Sequence, residues 1–448
     1  MMRKHAALAW WLARDARGTA RALALAPESL HALAAARLRA LLADAQRTPL
    51  FADRVRAAGL SRPGALRDAE LPLALQSLAP MSKHEMRTAG DAALRDGRVS
   101  ASWFSSRSSG SSGEPFRVYY DARAWSMLKY LVKARSRRAV GMRFTDSVAI
   151  LDAIPQSHEG RAALERAGRV RRISVFRAPA EMAAMLAAYR PDALYGLPSA
   201  LLEIASAVEN GAPPVRTRRI FTSGELLTGG ARRSIASAFG ASLYDVYGTS
   251  ETKEIAWECE TGSRHVNADV VHVEILDDRD APVPAGIEGE IVVTLLVNEA
   301  MPLVRYRTGD RGALLPGECP CGRAGPLLGV MSGRTADMLE LPDGSLRSPY
   351  QLTMALERIP GLMRYQIVQA ERDLLRVSVV PDARADTDAL RSSVVDALQL
   401  ELPREIRIEV MLADGVERGA RAKVRVVHPL PLSREPVAAL AGAPGSSQ

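Results

Sequence analysis

The spacing of apolar residues changes along the chain. It predicts helices in the first hundred residues and alternating strands and helices after them. In residues 1–100, apolar side chains such as Leu38, Leu41 and Leu42 recur at helical intervals, so we expect several helices there. Short apolar runs with Val and Ile follow at 147–151 and 172–176, and a helical stretch follows the second run. This alternation predicts an α/β architecture with mostly parallel strands.

Two further changes of pattern complete the predicted organisation. Between about 260 and 332, strands are interrupted by Pro and Gly, which predicts an antiparallel, barrel-like β subdomain. Beyond Gly333, helical and strand patterns alternate over about a hundred residues, typical of a small α+β domain. We therefore expect a large domain over 1–333 and a small domain over 334–448.

Composition narrows the class of protein. With 448 residues and 47% hydrophobic content, the chain can bury a large core. Its longest apolar runs fall short of the roughly 18 residues that cross a bilayer, so the sequence predicts a cytoplasmic protein with no membrane partner. The net charge of +8 is dispersed among acidic residues, which indicates a solvated surface and no nucleic-acid partner.

Lysine is rare in this arginine-rich chain. There are six lysines, and Lys423 stands alone after Lys253. An ammonium is a compact, strongly hydrated charge on a flexible stem, and a guanidinium does not replace it at every site. The isolation of Lys423 therefore favours a catalytic role over a place on an edge strand.

A serine-rich segment at 105–115 reads SSRSSGSSGEP. Small hydroxylated residues and two glycines let backbone N–H groups and hydroxyls converge on phosphate oxygens. Flexible linkers have the same composition, so both interpretations stay open at this point. The segment lacks the Gly-Lys-Ser ending of a Walker loop, which argues against an ordinary P-loop ATPase.

Four later motifs follow in order: TSGE at 222–225, YGTSE at 247–251, RYRTGD at 305–310 and SGRTAD at 332–337. Together with the serine-rich segment they resemble the signature of the adenylate-forming superfamily. The intervening text, WECETGSRHV, EAMPLVRYRTGD and CPCGR, resembles its phenylacetate–CoA ligase-like branch. The resemblance implies ATP-dependent activation of a small acid as acyl-AMP, followed by transfer to coenzyme A. It also implies a mobile small domain that carries the catalytic lysine.

The resemblance assigns roles residue by residue. Ser250, Glu251 and Lys423 would be catalytic, with Ser250 at the α-phosphate and Glu251 on Mg²⁺, a hard cation that prefers oxygen ligands. Asp310 would hold the ribose hydroxyls, and Arg334 would approach the ribose. ATP binding is assigned to Ser108, Ser109, Gly110, Ser111, Ser112, Gly113, Ser223, Gly224, Glu225, Tyr247, Gly248, Thr249, Asp310 and Arg334.

Three positions depart from the family pattern. Glu114 ends the serine-rich segment where many relatives have Lys, and Ala422 stands where Gly often precedes the catalytic lysine. Ala336 occupies a position that is commonly a charged hinge residue. The resemblance therefore does not say how rotation of the small domain is controlled in this chain.

The cysteines fall in two short stretches, Cys259 with His265 nearby and Cys319 with Cys321. Three thiolates and one imidazole suffice for a closed tetrahedral Zn²⁺ site, whereas a disulfide would leave one thiol over. The spacings are not those of standard zinc fingers, so buried inert cysteines remain an alternative. The family resemblance favours the structural zinc site.

The resemblance places the acyl pocket around Ile154, Tyr195 and Gly196 and favours an aromatic acid such as benzoate or phenylacetate. Tyr195 is equally compatible with a core position. Coenzyme A is the expected acceptor; an acyl carrier protein thiol or an amine would use the same chemistry, and a homodimer stays open. A non-catalytic nucleotide- and zinc-binding module is the alternative of a different class.

Overall fold

In the computed structural model, an eleven-stranded sheet organises the larger part of the chain. The described residues are 2–60, 67–107, 116–154, 165, 168–227, 229–334, 339–344, 346–347, 349–356, 358–382, 384–416 and 426–430. They form two compact units, one ending at Ser332 and the other beginning at Gly333.

The strands are numbered in chain order. They are β1 Phe104–Arg107, β2 Arg117–Tyr120, β3 Val148–Asp152, β4 Val170–Ser174, β5 Ala193–Gly196, β6 Arg219–Ser223, β7 Ser242–Thr249, β8 Lys253–Glu258, β9 Arg264–Val266, β10 Val271–Leu276, β11 Gly289–Leu295, β12 Tyr306–Leu315, β13 Leu327–Arg334, β14 Leu339–Glu340, β15 Leu346–Arg347, β16 Leu362–Glu371, β17 Leu374–Pro381, β18 Arg407–Leu412 and β19 Val427–His428.

The α-helices of the described residues lie before, between and after these strands. They are Met2–Arg21, Pro27–Ala45, Pro49–Ala57, Leu71–Leu75, Lys83–Ala89, Ala122–Ser126, Val132–Ala139, Pro179–Tyr189, Pro198–Glu209, Gly229–Phe239, Pro349–Leu356 and Thr387–Glu401. A π-helical turn, Met127–Leu131, joins two of them. No helix in these ranges is both long enough and apolar enough to cross a membrane.

The large sheet has a parallel half and an antiparallel half, in the order β10-β11-β12-β13-β9-β8-β7-β6-β5-β3-β4. Strands β3 to β7 pair in parallel, while β7 to β9 and β10 to β12 pair antiparallel. The predicted antiparallel strands are therefore present, and they continue the parallel sheet. The predicted α/β class is confirmed.

Apolar side chains hold the helices against this sheet. On the parallel half, Leu186, Ile204 and Ile235 of three helices are fully buried with the strand residues Ile173 and Ile220. Two of these helices, Pro179–Tyr189 and Pro198–Glu209, begin with proline, which suits the first turn because that N–H has no helical partner. The apolar periodicity predicted helices in the N-terminal region, and in the structure these helices pack on the antiparallel half of the sheet.

The smaller unit has its own sheet, in the order β18-β17-β16-β19. Strands β16 and β17 pair antiparallel, and the outer strands add in parallel. Buried Leu352 and Val394, from the helices Pro349–Leu356 and Thr387–Glu401, pack against its strands. Because this core is separate from those of the larger unit, the smaller unit has the arrangement of an α+β domain.

Candidate active site

The YGTSE and TSGE motifs leave the sheet at the same edge. Strands β5, β6 and β7 are parallel, with Gly196 opposite Thr222 and Ser223 opposite Val246. Their carboxyl ends therefore carry the two motifs side by side. In open α/β sheets, ligands bind outside the carboxyl ends of the strands, which makes this edge the candidate site.

Tyr247 connects the YGTSE motif to the RYRTGD motif. Its hydroxyl donates a hydrogen bond of 2.9 Å to Oδ2 of Asp310 and lies 3.5 Å from Oγ1 of Thr308. Three strands separate β12 from β7 in the sheet order, a distance of roughly 19 Å in a flat sheet. The contact is possible because the sheet curves and brings its two halves together over one face.

Gly248 has no room for a side chain. A Cβ atom at this position would lie 2.0 Å from the carbonyl oxygen of Lys253, closer than any real contact. The following turn is held by a 3.0 Å hydrogen bond between the hydroxyls of Thr249 and Thr252. Glycine therefore lets β7 and β8 approach closely enough to turn the YGTSE backbone back on itself.

Glu251 is buried at the end of this turn and faces a cation. Nζ of Lys83 lies 3.4 Å from Oε1 of Glu251. Lys83 opens a helix whose first turn is closed by reciprocal hydrogen bonds between Ser82 and Glu85. The helix start thus fixes the backbone from which Lys83 reaches the carboxylate.

Arg305 ties this helix to the RYRTGD motif. The side chain is buried, and its guanidinium pairs with Glu274 at 3.1 Å and donates to the backbone carbonyl of Gln76 at 3.0 Å. Nearby, the Met81 N–H donates to the Arg305 carbonyl at 2.8 Å. Because Met81 lies two residues before Lys83, the first arginine of the motif positions the segment that carries the lysine.

Tyr120 connects the strand after the serine-rich segment to the YGTSE turn. Strands β1 and β2 form a hairpin in which Phe104 pairs with Tyr120 and Arg107 with Arg117. The Tyr120 hydroxyl donates to the backbone carbonyls of Ser250, at 3.2 Å, and Glu251. Burial, reinforced by the Glu251 carboxylate, raises the pKa of Tyr120, so the phenol stays a neutral donor.

The predicted phosphate-binding residues between these strands, Ser108, Ser109, Gly110, Ser111, Ser112 and Gly113, lie outside the described residues. Lys423 lies outside them too, as does the side chain of Arg334, whose backbone ends β13. Their predicted roles stay predictions.

Lys253 also reaches the YGTSE turn. Its ammonium donates to the Ser250 carbonyl and lies 4.9 Å from the ring centroid of Tyr120. Burial, and to a smaller extent Lys129, lowers the pKa of Lys253 to about 8. The backbone of this turn is therefore held by one phenol and one ammonium from the protein itself.

Glu225 of the TSGE motif caps a helix. Its carboxylate accepts hydrogen bonds from the backbone N–H of Ser199 at 2.9 Å and from its hydroxyl at 3.0 Å, at the start of the helix Pro198–Glu209. Gly224 has a φ of +88°, a conformation that favours glycine. Ser223 and Gly224 are exposed at the carboxyl end of β6.

Tyr195 lies at the same edge, at the end of β5. Its ring stacks on Phe221 with centroids 4.8 Å apart, and its hydroxyl accepts a 3.1 Å hydrogen bond from Nε of Arg137. Burial raises the pKa of Tyr195, although Arg137 opposes this effect. The ring is thus part of an aromatic stack and at the same time partly exposed beside the motifs.

The other two predicted acyl-pocket residues lie beside Tyr195. Gly196 follows it directly, and a Cβ there would lie 3.0 Å from Cδ1 of Leu151. The carbonyl of Ile154, after β3, accepts a hydrogen bond of 2.5 Å from the Ser174 hydroxyl. Tyr195 and Gly196 end β5, and Ile154 follows the neighbouring β3, so all three lie at the carboxyl ends of adjacent strands.

The four predicted metal ligands, Cys259, His265, Cys319 and Cys321, converge, with their ligand atoms all within 4.8 Å of one another. The Sγ atoms of Cys259 and Cys319 are 3.7 Å apart, and Sγ of Cys321 is 3.2 Å from Nε2 of His265. Trp257 stacks on the imidazole with centroids 5.6 Å apart, which fixes the orientation of the ring.

The pKa values of two of these thiols shift in opposite directions. Burial raises the pKa of Cys319, but hydrogen bonds from Ser263 and Thr261 outweigh it and lower the pKa to about 5. Burial raises the pKa of Cys321. Three sulfur atoms and one imidazole nitrogen within 4.8 Å of one another suit a cation such as Zn²⁺.

Several residues at the site were not singled out from the sequence. Lys83, Tyr120 and Lys253 contact the YGTSE turn, and Arg137 contacts Tyr195. The scarcity of lysine, which drew attention to Lys423, applies equally to Lys83 and Lys253. Tyr120 offered no comparable signal because an aromatic residue in a strand is usually part of a core.

Sequence comparison with known proteins finds relatives that are phenylacetate-coenzyme A ligases. No family model matches the chain. The phenylacetate-coenzyme A ligase of Pseudomonas putida is 33% identical over 325 residues, which are 69% of this chain and 72% of that protein. The phenylacetate-coenzyme A ligase of Aromatoleum evansii is 29% identical over 389 residues, 80% of this chain and 83% of that protein.

A similar fold has been solved for a 2-hydroxyisobutyryl-CoA ligase in the postadenylation state in complex with R3-HIB-AMP. The TM-score is 0.73 at 21% sequence identity, and the match covers 91% of each chain. At this level of identity the similarity establishes the fold.

Proposed function

Because this chain belongs to the phenylacetate–CoA ligase-like branch of the adenylate-forming superfamily, as the motifs indicated, we propose that it is an AMP-forming acid–CoA ligase. In the first step, a carboxylate oxygen of the acid attacks the α-phosphorus of ATP, and pyrophosphate leaves. In the second, the thiol of coenzyme A attacks the acyl carbonyl, and AMP leaves. Both steps depend on positioning and on neutralising the charge of the phosphates.

One observation carries this proposal: the hydrogen bond of 2.9 Å between Tyr247 and Asp310. It brings two motifs that lie about sixty residues apart in the sequence to one edge of the sheet. The Tyr120 hydroxyl brings the end of the β1–β2 hairpin to the same place. A nucleotide bound there would contact all three segments at once.

The family resemblance supplies the residue roles that we propose. Ser250 would contact the α-phosphate, and Asp310 would accept hydrogen bonds from the ribose hydroxyls. Glu251, which is buried with Nζ of Lys83 3.4 Å from its carboxylate, would hold Mg²⁺ on the phosphates. Lys423 would stabilise the negative charge that develops during adenylation.

The test is acid-dependent exchange of labelled pyrophosphate into ATP, followed by coenzyme A consumption with the same acids. We expect exchange in the wild type and a loss of at least a hundredfold in Lys423→Ala. Arg138→Ala, an exposed cation on the helix Val132–Ala139, serves as the control and should keep full exchange. Absence of exchange with every acid would favour a non-catalytic nucleotide-binding module.

The proposal includes an aromatic acid as the substrate and coenzyme A as the acceptor. The stacked rings of Tyr195 and Phe221 beside the motifs suit a flat aromatic acid. Coenzyme A is the acceptor expected from the relatives, and an acyl carrier protein would receive the acyl group by the same attack. Exchange without coenzyme A consumption would point to the carrier protein or to an amine.

We further propose that Cys259, His265, Cys319 and Cys321 hold a structural Zn²⁺. The edges of a tetrahedral site with Zn–S bonds near 2.3 Å are about 3.8 Å long, and the Cys259–Cys319 distance of 3.7 Å fits this geometry. With four protein ligands the metal would have no open position for a substrate. Its role would be to join the β8–β9 hairpin to the loop before β13.

A further inference from the structure

A row of cations lies along the helical stretch between β2 and β3. Lys129, Lys133 and Arg137 follow at intervals of four residues, so they lie near one another along the stretch. Lys129 is part of the π-helical turn Met127–Leu131, a feature that occurs often at functional sites. The electrostatic neighbours of Lys133 include both Arg137 and Lys129.

Arg137 in this row is fully engaged with the protein. Two nitrogens of its guanidinium donate to Glu254 at 2.8 Å each, and the third donates to the Tyr195 hydroxyl at 3.1 Å. Glu254 is therefore already occupied by a bidentate partner. Glu254 therefore contributes little to neutralising the charge of any other cation nearby.

Lys133 differs from Arg137. Its Nζ lies 4.8 Å from the ring centroid of Tyr195, and within the described part of the chain its ammonium has no salt bridge and no hydrogen bond. Burial, and then Arg137, lowers the pKa of Lys133 to about 8. A partly buried ammonium with unused donors costs stability unless a ligand supplies the acceptor.

The other lysines of the neighbourhood have different surroundings. Lys253 donates to the Ser250 carbonyl, and Lys129 is exposed over the ring of Trp125 at 4.4 Å. Lys133 thus combines three properties: partial burial, unused donors and contact with a proposed acyl-pocket residue. These properties suit a group that recognises an anion on a substrate.

We propose that the acid activated by this enzyme carries a second anionic or strongly accepting oxygen group, a carboxylate or an acidic hydroxyl, and that Lys133 binds it. This inference rests on the proposed function, because it treats Tyr195 as a wall of the acyl pocket. Strands β5 and β7 are two strand spacings apart, roughly 10 Å. Ser250 follows β7 and Lys133 contacts Tyr195 of β5, so an aromatic acid with a group at each end would lie with its reacting carboxylate toward Ser250 and its second group toward Lys133.

The experiment compares matched acids in the pyrophosphate exchange assay. Benzoate is set against terephthalate and 4-hydroxybenzoate, with the wild type, Lys133→Met and Lys133→Arg. We expect the wild type to favour the substituted acids at least tenfold in kcat/KM. Lys133→Met should lose that preference, with a larger drop in kcat/KM for the substituted acids than for benzoate, and Lys133→Arg should recover part of the preference.

Arg138→Met is the matched control because Arg138 is an exposed cation on the same helix, and it should keep the wild-type preference. A wild-type enzyme that favours benzoate would overturn the inference. So would a Lys133→Met variant that loses activity equally with all three acids, since that result indicates a structural role.

Equilibrium binding of terephthalate without ATP separates the two proposals. Binding that depends on Lys133, with no exchange for any acid, would support the anion site and reject the ligase activity. Exchange with no preference among the acids would retain the ligase activity and reject the anion site. Thermal unfolding of each variant checks that the protein is folded.

Discussion

The hydroxyl of Tyr247 donates a 2.9 Å hydrogen bond to the carboxylate of Asp310 across the curved face of the sheet. The two residues belong to different motifs and to strands that are not neighbours in the sheet. The donor is an uncharged phenol and the acceptor is a carboxylate oxygen. The pair therefore defines both the place and the polarity of the proposed ribose site.

Removing this hydrogen bond should weaken nucleotide binding. In Tyr247→Phe, the carboxylate of Asp310 loses a charge-assisted partner worth about 2 kcal/mol, so the KM for ATP should rise about tenfold or more. The KM for the acid should change little. Steady-state kinetics with Tyr189→Phe as control tests this, since the Tyr189 hydroxyl donates to the Gly168 carbonyl, outside the YGTSE and RYRTGD motifs. Equal effects in both variants would reject the proposed role.

The contact between Lys83 and Glu251 predicts that substitutions of the two residues shift the Mg²⁺ concentration for half-maximal exchange in opposite directions. Glu251→Gln removes the proposed metal ligand, so the Mg²⁺ concentration for half-maximal exchange should rise at least tenfold. Lys83→Met removes a competing cation 3.4 Å from the carboxylate, so the same concentration should fall. Magnesium titrations of both variants provide the measurement, with Glu409→Gln, in an exposed ion pair, as the control. A rise in both site variants would show that Glu251 does not act alone on the metal.

Loss of one cysteine should release the proposed zinc. Cys319→Ser removes a ligand, and we expect less than 0.2 zinc per chain, roughly, by elemental analysis, together with a lower Tm. Thr261→Val is the control, because its hydroxyl contacts the thiols at 3.0 and 3.2 Å without being a ligand in the proposed site. A wild-type protein purified without zinc under metal-replete expression would reject the site.

The buried pair of Arg135 and Asp269 predicts a stability effect with a defined pH dependence. Both side chains are 2% exposed, and Nη1 of Arg135 lies 2.9 Å from Oδ2 of Asp269. Asp269→Asn leaves Arg135 buried without its counter-ion, which should cost about 3–5 kcal/mol of unfolding free energy. Urea unfolding at neutral pH measures this difference.

The sign of the pH effect follows from the pKa of Asp269. Burial raises it, but Arg135 and Arg37 outweigh burial and hold it below its ordinary value. The unfolded state therefore takes up protons first, and the stabilisation is present above about pH 4 and lost as the pH falls through the folded pKa. The difference between wild type and Asp269→Asn should shrink below about pH 4. A difference that stays constant down to pH 3 would contradict this account.

Local patterns determined much of this protein. Apolar periodicity predicted the helices and the strands because each element must bury one face, and those requirements act over a few residues. The family resemblance carried by the motifs predicted that Tyr247 and Asp310 belong to one site, and it favoured a four-ligand cluster at the cysteines, whose ligand atoms lie within 4.8 Å of one another. The scarcity of lysine also carried information that extended beyond Lys423.

Tertiary structure alone decided the contacts between distant segments. The curvature that brings Tyr247 to Asp310, and the placement of Lys83 beside Glu251, depend on how two halves of one sheet and a helical region pack together. The same is true of Lys133, whose unused donors are evident only because Glu254 is already taken by Arg137. Such contacts depend on how many side chains that are distant in the sequence share the same space and pair with the same charges. A local sequence pattern does not contain this information.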